Sequence, residues 1–233
     1  MKLGIFTDPH YSTAELTCGR RYNSRSLSKM EAALAHFRDE GCELILCLGD
    51  LIDREESHAL EAENLRAVAR AFDAASLPVL VLRGNHDGFC FTEEEFYGIL
   101  GESRRPHDLT LGDKTLLFLD ACFTADGKPY HPKGSHDWTD THLPCPNALA
   151  ERLAAVPGEA VVCLHQNIDP DIREDHRLKN SAEVRKILEQ SGKVKRVLQG
   201  HYHRGAENVH NGIRYTTFPA MCEGEDSVFI LHL

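Results

Sequence analysis

The chain of 233 residues is 42% hydrophobic and 27% charged, with a net charge of −10, the composition of a folded globular protein rather than a disordered one. So acidic a balance repels nucleic acid and anionic membrane at long range, which counts against a nuclease that tracks DNA, and no apolar run is long enough to cross a bilayer. Eight cysteines are scattered without a close Cys-x-x-Cys pair, the usage of reduced thiols in a cytoplasmic protein and not of a disulfide frame or zinc ribbon.

Residues 1–6 are apolar but meet Asp8 too soon for a secretory signal, and 3–7 reads as a first strand. Leu27, Met30, Leu34 and Phe37 recur at helical spacing, with Ser28 and Glu31 placed for a capping box and Gly41 for the stop. Residues 44–48 form a continuous apolar strand suited to a sheet interior. A helix over 58–75 follows, halted by Ser76-Leu77-Pro78, and then a strand over 79–82. This β-α-β-α-β order predicts a parallel sheet, because such crossovers are right-handed. Thr92 and Glu95 can cap a short helix ending near Gly101, and 114–120 reads as a strand. Residues 124–146 are proline-rich and aperiodic, a surface excursion that would face substrate. A helix over 148–156, a strand over 160–164, a helix over 181–190 and a strand over 195–199 come next. Asn211-Gly212 then marks a hairpin between 207–210 and 214–217, and 228–231 reads as a last strand. No repeat or linker interrupts the chain, so 1–233 is expected to form one α/β domain.

The chemistry-bearing residues follow the strands. The first strand ends in Asp8-Pro9-His10, the second in Gly49-Asp50-Leu51-Ile52-Asp53 and the third in Gly84-Asn85-His86-Asp87; His165 and Gly200-His201-Tyr202-His203 follow two later ones. Strand carboxyl ends share one rim in an open α/β sheet, so five segments deliver carboxylates, an amide and imidazoles to one place. Each motif alone has an ordinary reading as a turn or an exposed histidine. Packed together without compensation they would cost several kcal/mol, on the order expected for partly buried charge, and divalent cations remove that cost. Mixed oxygen and nitrogen donors suit Mn²⁺, Fe or Zn²⁺ better than Ca²⁺. Alternate residues in Asp8-x-His10 and His201-x-His203 would point the same way on extended backbone, and Gly49, Gly84 and Gly200 would allow sharp turns and close approach.

These blocks, in this order, resemble the calcineurin-like metallophosphoesterase superfamily, whose pattern is DxH, GDxxD, GNH[DE], a later His and GHxH; the match runs over residues 3–217. The resemblance implies a β-sandwich of two mixed sheets flanked by helices and a centre of two divalent metal ions. One metal would be held by Asp8, His10, Asp50 and His203, and the other by Asn85, His165, His201 and the shared Asp50. His86 would be the histidine that acts on the scissile phosphate without binding metal. The implied reaction is hydrolysis of a phosphodiester or diphosphate by a hydroxide shared between the metals, which outweigh the Asp8 and Asp50 charges and draw in phosphate. Asp53 and Asp87 are placed to orient histidine rings. The stretch from Arg20 to Ser26 (Arg-Arg-Tyr-Asn-Ser-Arg-Ser) and Asn180-Ser181-Ala182-Glu183-Val184 resemble the manganese-dependent ADP-ribose/CDP-alcohol pyrophosphatase branch. That likeness implies a small phosphorylated substrate, a nucleotide, and the cyclic-nucleotide phosphodiesterases are the neighbouring branch. Arg21 and Arg25 could meet a second phosphate. His131, His136, Asp137 and Trp138 lie in the excursion, where Trp138 could stack on a base or pin the loop. Phosphomonoesterase or protein phosphatase activity, or a non-catalytic protein-binding scaffold of the same fold, are the competing expectations.

Overall fold

Three short apolar runs make the first sheet. The computed structural model describes residues 1–130, 137–225 and 227–233. In it β1 (Lys2–Phe6), β2 (Leu44–Cys47) and β3 (Val79–Val81) lie parallel in that order, with β10 (Phe229–His232) antiparallel on the outer side of β1. The second sheet takes β4 (Leu109–Leu111), β5 (Lys114–Leu119), β6 (Glu159–Leu164), β7 (Val194–Gln199), β8 (Ala206–His210) and β9 (Ile213–Thr217). Its order is β4-β5-β6-β7-β9-β8, parallel from β5 to β9 and antiparallel at both edges. Both sheets are therefore mixed, as expected.

The period-two alternation of each strand divides the core into layers. Leu3, Ile5, Leu44, Leu46 and Leu80 of the first sheet meet Leu116, Phe118, Val161, Cys163 and Leu198 of the second, forming the central layer. The opposite face of the first sheet, with Phe6, Ile45, Cys47 and Val81, is covered by Met30, Leu34 and Phe37 of α1 (Ser26–Asp39) and Leu65, Val68 and Phe72 of α2 (His58–Ala75). Gly4 makes the first contact possible, since a Cβ there would lie 2.5 Å from the Phe37 ring. Leu117, Leu119, Val162, Leu164 and Val197 face outward from the second sheet onto α5 (Pro146–Ala155) and α6 (Ser181–Ser191). The result is an α-β-β-α sandwich.

The helix signals hold in part. Ser57 accepts from Leu60 N at the start of α2, and Ser76 takes a left-handed conformation (φ 55°) at its end. Thr92 and Glu95 form the expected capping box on α4 (Glu93–Leu100). The Ser28–Glu31 box does not form, because a 3₁₀ turn over Asn23–Arg25 starts α1 earlier and the Ser28 hydroxyl donates to Arg25 O. The C-terminal part of the excursion is tied to the body, since His142 N donates to Phe123 O and both Asn180 side-chain atoms bond Leu143. Asn180 thus anchors that segment instead of capping α6. His131 and His136 lie outside the described residues.

Candidate metal centre

All five segments emerge on the same rim, but not on extended backbone. Asp8, His10, Asp50 and His201 have φ of 52°, 46°, 53° and 66°, the left-handed region that costs a non-glycine residue on the order of 1 kcal/mol or more. The chain turns sharply at these four residues, so Asp8-x-His10 and His201-x-His203 do not lie on the extended backbone that the strand-pleat expectation requires. Hydrogen bonds hold the turns. Asp8 N donates to Gly49 O at 3.0 Å, His10 N to Asp50 O at 2.9 Å and Tyr11 N to Leu51 O at 2.9 Å. The loops touch so closely that a Cβ on Gly84 would lie 2.1 Å from Asp50 Oδ1, and one on Gly200 2.1 Å from Thr7 Oγ1. Only Gly49 of these three glycines needs its positive φ, 108°.

Asp87 does not orient a histidine. Its carboxylate accepts from Gly84 N at 2.9 Å, Leu51 N at 2.9 Å and Ile52 N at 3.3 Å, clasping the second loop to the start of α3 (Asn85–Cys90). Burial, together with Asp50 nearby, pushes its carboxyl up to about 7. Asp53 does meet a histidine: His86 Nδ1 lies 2.8 Å from Asp53 Oδ1. Asn23, known from the sequence only as part of the stretch from Arg20 to Ser26, is fully enclosed and donates to His10 O at 2.7 Å and Asp53 Oδ2 at 3.1 Å.

Two nests of donors share one oxygen. In the first, His10 Nε2 lies 3.6 Å from Asp8 Oδ1, 3.4 Å from Asp50 Oδ2 and 3.2 Å from His203 Nε2, and His203 Nε2 lies 3.4 Å from Asp8 Oδ1. In the second, His165 Nε2 lies 3.2 Å from the same Asp50 Oδ2 and 3.3 Å from Asn85 Oδ1, with a donor atom of His201 within 4.8 Å. Donors bonded at about 2.1 Å to one cation stand about 3.0–3.4 Å apart at octahedral or tetrahedral angles, so the spacing fits. The second nitrogens are directed outward: His165 Nδ1 donates to Leu48 O at 2.8 Å and His203 Nδ1 to Glu223, leaving each Nε2 free to ligate. Asp8 Oδ1 is buried with no hydrogen-bond partner, an orphaned acceptor pointing into the first nest. The Cys222 thiol, not anticipated, lies within 4.8 Å of donors of His10 and His203.

The electrostatics agree with a cation site. Burial would raise Asp8 and Asp50, yet His165, His10 and His203 around Asp8, and His165, His86 and His10 around Asp50, hold both carboxyls well below the usual range. Burial, with Arg21 and His86 adding, pushes His10 down to about 4, and burial with His165 also lowers His201. Burial opposes the charge on His165 and His203, but Asp50 and Asp8 draw the first up to about 9, and Asp8 and Glu223 the second likewise. Those protons occupy the ground a divalent cation would take.

Above the nests opens a cleft of about 420 Å³, with Asp50, Asn85, His86, His201 and His203 at its floor and Arg20, Arg21, Trp138 and His176 on its walls. Arg25 does not reach it; its guanidinium stacks on Tyr22 with the carbon 4.8 Å from the ring centroid.

The calcineurin-like phosphoesterase family model matches residues 1–205. The chain belongs to that family. It is a metal-dependent phosphoester hydrolase of calcineurin-like fold. A related protein, the 3′,5′-cyclic adenosine monophosphate phosphodiesterase CpdA of Haemophilus influenzae, is 27% identical over 95% of this chain and 77% of its own length. In fold the chain is similar to a dimetal phosphatase from Danio rerio, with a TM-score of 0.81 at 17% identity over 95% of this chain and 88% of that one. It is also similar to an archaeal phosphodiesterase, with a TM-score of 0.53 at 13% identity over 100% and 93%. Among the described residues no helix is long and apolar enough to cross a membrane.

Proposed function

We propose that this calcineurin-like phosphoesterase hydrolyses a phosphodiester or diphosphate of a small nucleotide at a pair of divalent cations, Mn²⁺, Fe or Zn²⁺, with residues 1–233 acting as one cytoplasmic catalytic domain. Asp8, His10, Asp50 and His203 would hold one cation, and Asn85, His165, His201 and Asp50 the other. The observation that carries this is the position of Asp50 Oδ2, 3.4 Å from His10 Nε2 and 3.2 Å from His165 Nε2, where one oxygen faces both nests. The phosphodiesterase activity named for the Haemophilus influenzae and archaeal proteins supports the diester reading.

Such a pair of ions, when bound, polarises phosphoryl oxygens and lowers the pKa of water. The chain's own residues prepare the rest. The backbone N–H of His86 donates to Asp50 Oδ1 at 2.8 Å, fixing the carboxylate so that Oδ2 faces the nests. Asn85 offers a neutral oxygen, which keeps the centre electrophilic where a third carboxylate would weaken it. His86 lines the cleft with Nδ1 held by Asp53. Asp50 and Asp53 overcome its burial and raise its pKa, favouring the imidazolium that can protonate a leaving oxygen.

The test is an Mn²⁺ assay on a chromogenic bis-phosphodiester beside a metal count of Asp50→Ala. Activity in the wild type, with loss of activity and of both metals in the variant, is expected. A variant that keeps two tightly bound metals would defeat the sharing by Asp50, and cleavage of monoesters alone would replace the diester reading.

A further inference from the structure

The cleft has unlike walls on its two sides. Beside His203 stand Arg20, 3.0 Å from Glu223, and Arg21, 3.4 Å from Asp53. Beside His201 stands Trp138, the chain's sole tryptophan, with its ring centroid 5.6 Å from that of His201 and 5.1 Å from that of His176 in an edge-to-face contact. His176 is itself fixed: Nδ1 lies 2.8 Å from Asp175 Oδ1, its ring packs edge-on to Tyr202 at 5.1 Å, and Arg173 forks onto the Asp175 carboxylate.

Trp138 remains 41% exposed although it lines a cleft. Its segment is fastened without it, through Lys179 N to Thr141 O, His142 N to Phe123 O and the paired Asn180–Leu143 bonds. An indole that is not needed as an anchor, packed against His176 and His201 at the edge of the proposed phosphate site, has an apolar face for a ligand to cover. Planar rings do so with favourable dispersion and quadrupole geometry.

We propose that Trp138 and His176 form a ring-binding wall that selects phosphate esters carrying a planar heteroaromatic group, a nucleobase, on the His201 side, with any further anionic group directed toward Arg21. The proposal rests on the hydrolase reading above for the placement of the phosphoryl group over Asp50 and Asn85. Stacking on a fixed aromatic pair is tolerant of base identity, so the wall distinguishes base from no base rather than one base from another.

Adenosine 5′-monophosphate and ribose 5-phosphate share phosphate and sugar and differ in the base, so their relative binding reads the wall. In the Mn²⁺-loaded protein the nucleotide should quench the single-tryptophan fluorescence and compete with a bis-phosphodiester about 10-fold more tightly than ribose 5-phosphate. Trp138→Ala should bring the two inhibition constants together, Trp138→Phe should restore most of the gap, and His176→Ala should narrow it several-fold. Equal inhibition by the two ligands in the wild type, or a gap unchanged in Trp138→Ala, would overturn the wall while turnover left the hydrolase reading standing. Nucleotide-specific quenching in a wild-type protein that turns over no ester would uphold the wall and remove the hydrolase reading.

Discussion

Histidines proposed to hold metal and the one proposed to serve catalysis share one device, an Nδ1 directed to an acceptor, so hydrogen bonding alone does not separate the two roles. His165 and His203 direct Nδ1 to Leu48 O and Glu223 and turn Nε2 into the cage; His86 directs Nδ1 to Asp53, lines the cleft and also lies within 4.8 Å of donors of His10 and Asp50. With His86 as the proton donor and not a ligand, His86→Ala should lower kcat by about 10²–10⁴ with metal content unchanged. Kinetics paired with elemental analysis checks this, and loss of metal would make His86 a ligand. At this scale the sequence was informative wherever a residue belonged to a motif, since Asp8, His10, Asp50, Asn85, His86, His165, His201 and His203 all reach the rim. Glu223 was not legible, and Asn23, though part of the stretch from Arg20 to Ser26, gave no sign of its burial beneath the site. A lone amide or carboxylate in a polar stretch carries no sign of burial, and only the folded loops bring Asn23 beneath Asp53 and Glu223 beside His203.

The elements were legible where hydrophobic period and length agreed, as in α2 and in the parallel strands β1, β2 and β3. They were missed where the apolar signal was thin: β4 is Leu-Thr-Leu with no buried residue, unlike the equally short but fully buried β3, and α3 has six residues with Gly88 inside it. That omission matters, because α3 opens with Asn85 and His86, and its first turn is tied to the second loop by the Asp87 carboxylate as well as by His86 N donating to Asp50 Oδ1. Removing that carboxylate leaves the N–H groups of Gly84, Leu51 and Ile52 without their acceptor in a dry site. A lost acceptor of this kind costs about 1–3 kcal/mol for each group left unsatisfied. Asp87→Ala should lower the melting temperature by at least about 5 °C and weaken metal binding, since the Asp50 and Asn85 turns would lose their common brace. Calorimetry of the metal-loaded variant tests the first effect and metal titration the second; a variant as stable as the wild type would mean that water replaces the clasp.

For the whole molecule, the sandwich spends part of its stability on holding charges together at one end. Four of the proposed ligands take left-handed backbone, and largely buried acidic and basic side chains crowd together at the floor of the cleft. Divalent cations offset this, so stripping them with a chelator should expose the conflict as a pH-dependent loss of stability. His165 and His203 have folded values of about 9 against about 6.5 when unfolded. Raised values mean that their contribution is complete below about 6.5 and disappears as the pH climbs through 9. His10, lowered to about 4, acts in the opposite sense: the unfolded chain takes up its proton first, so stability falls as the pH drops from about 6.5 toward 4. The metal-free protein should thus lose several degrees of melting temperature between about pH 6.5 and 9, while below about pH 6.5 His10 is opposed by Asp87, whose carboxyl is raised to about 7 and favours the folded state at lower pH. With Mn²⁺ present the alkaline loss should vanish or reverse, because ligands that shed protons bind the ion more tightly. Differential scanning calorimetry from pH 5 to 9, with chelator and with Mn²⁺, reads both curves. If they run parallel above pH 6.5, His165 and His203 do not exchange protons for metal, and the proposed cage loses its physical basis.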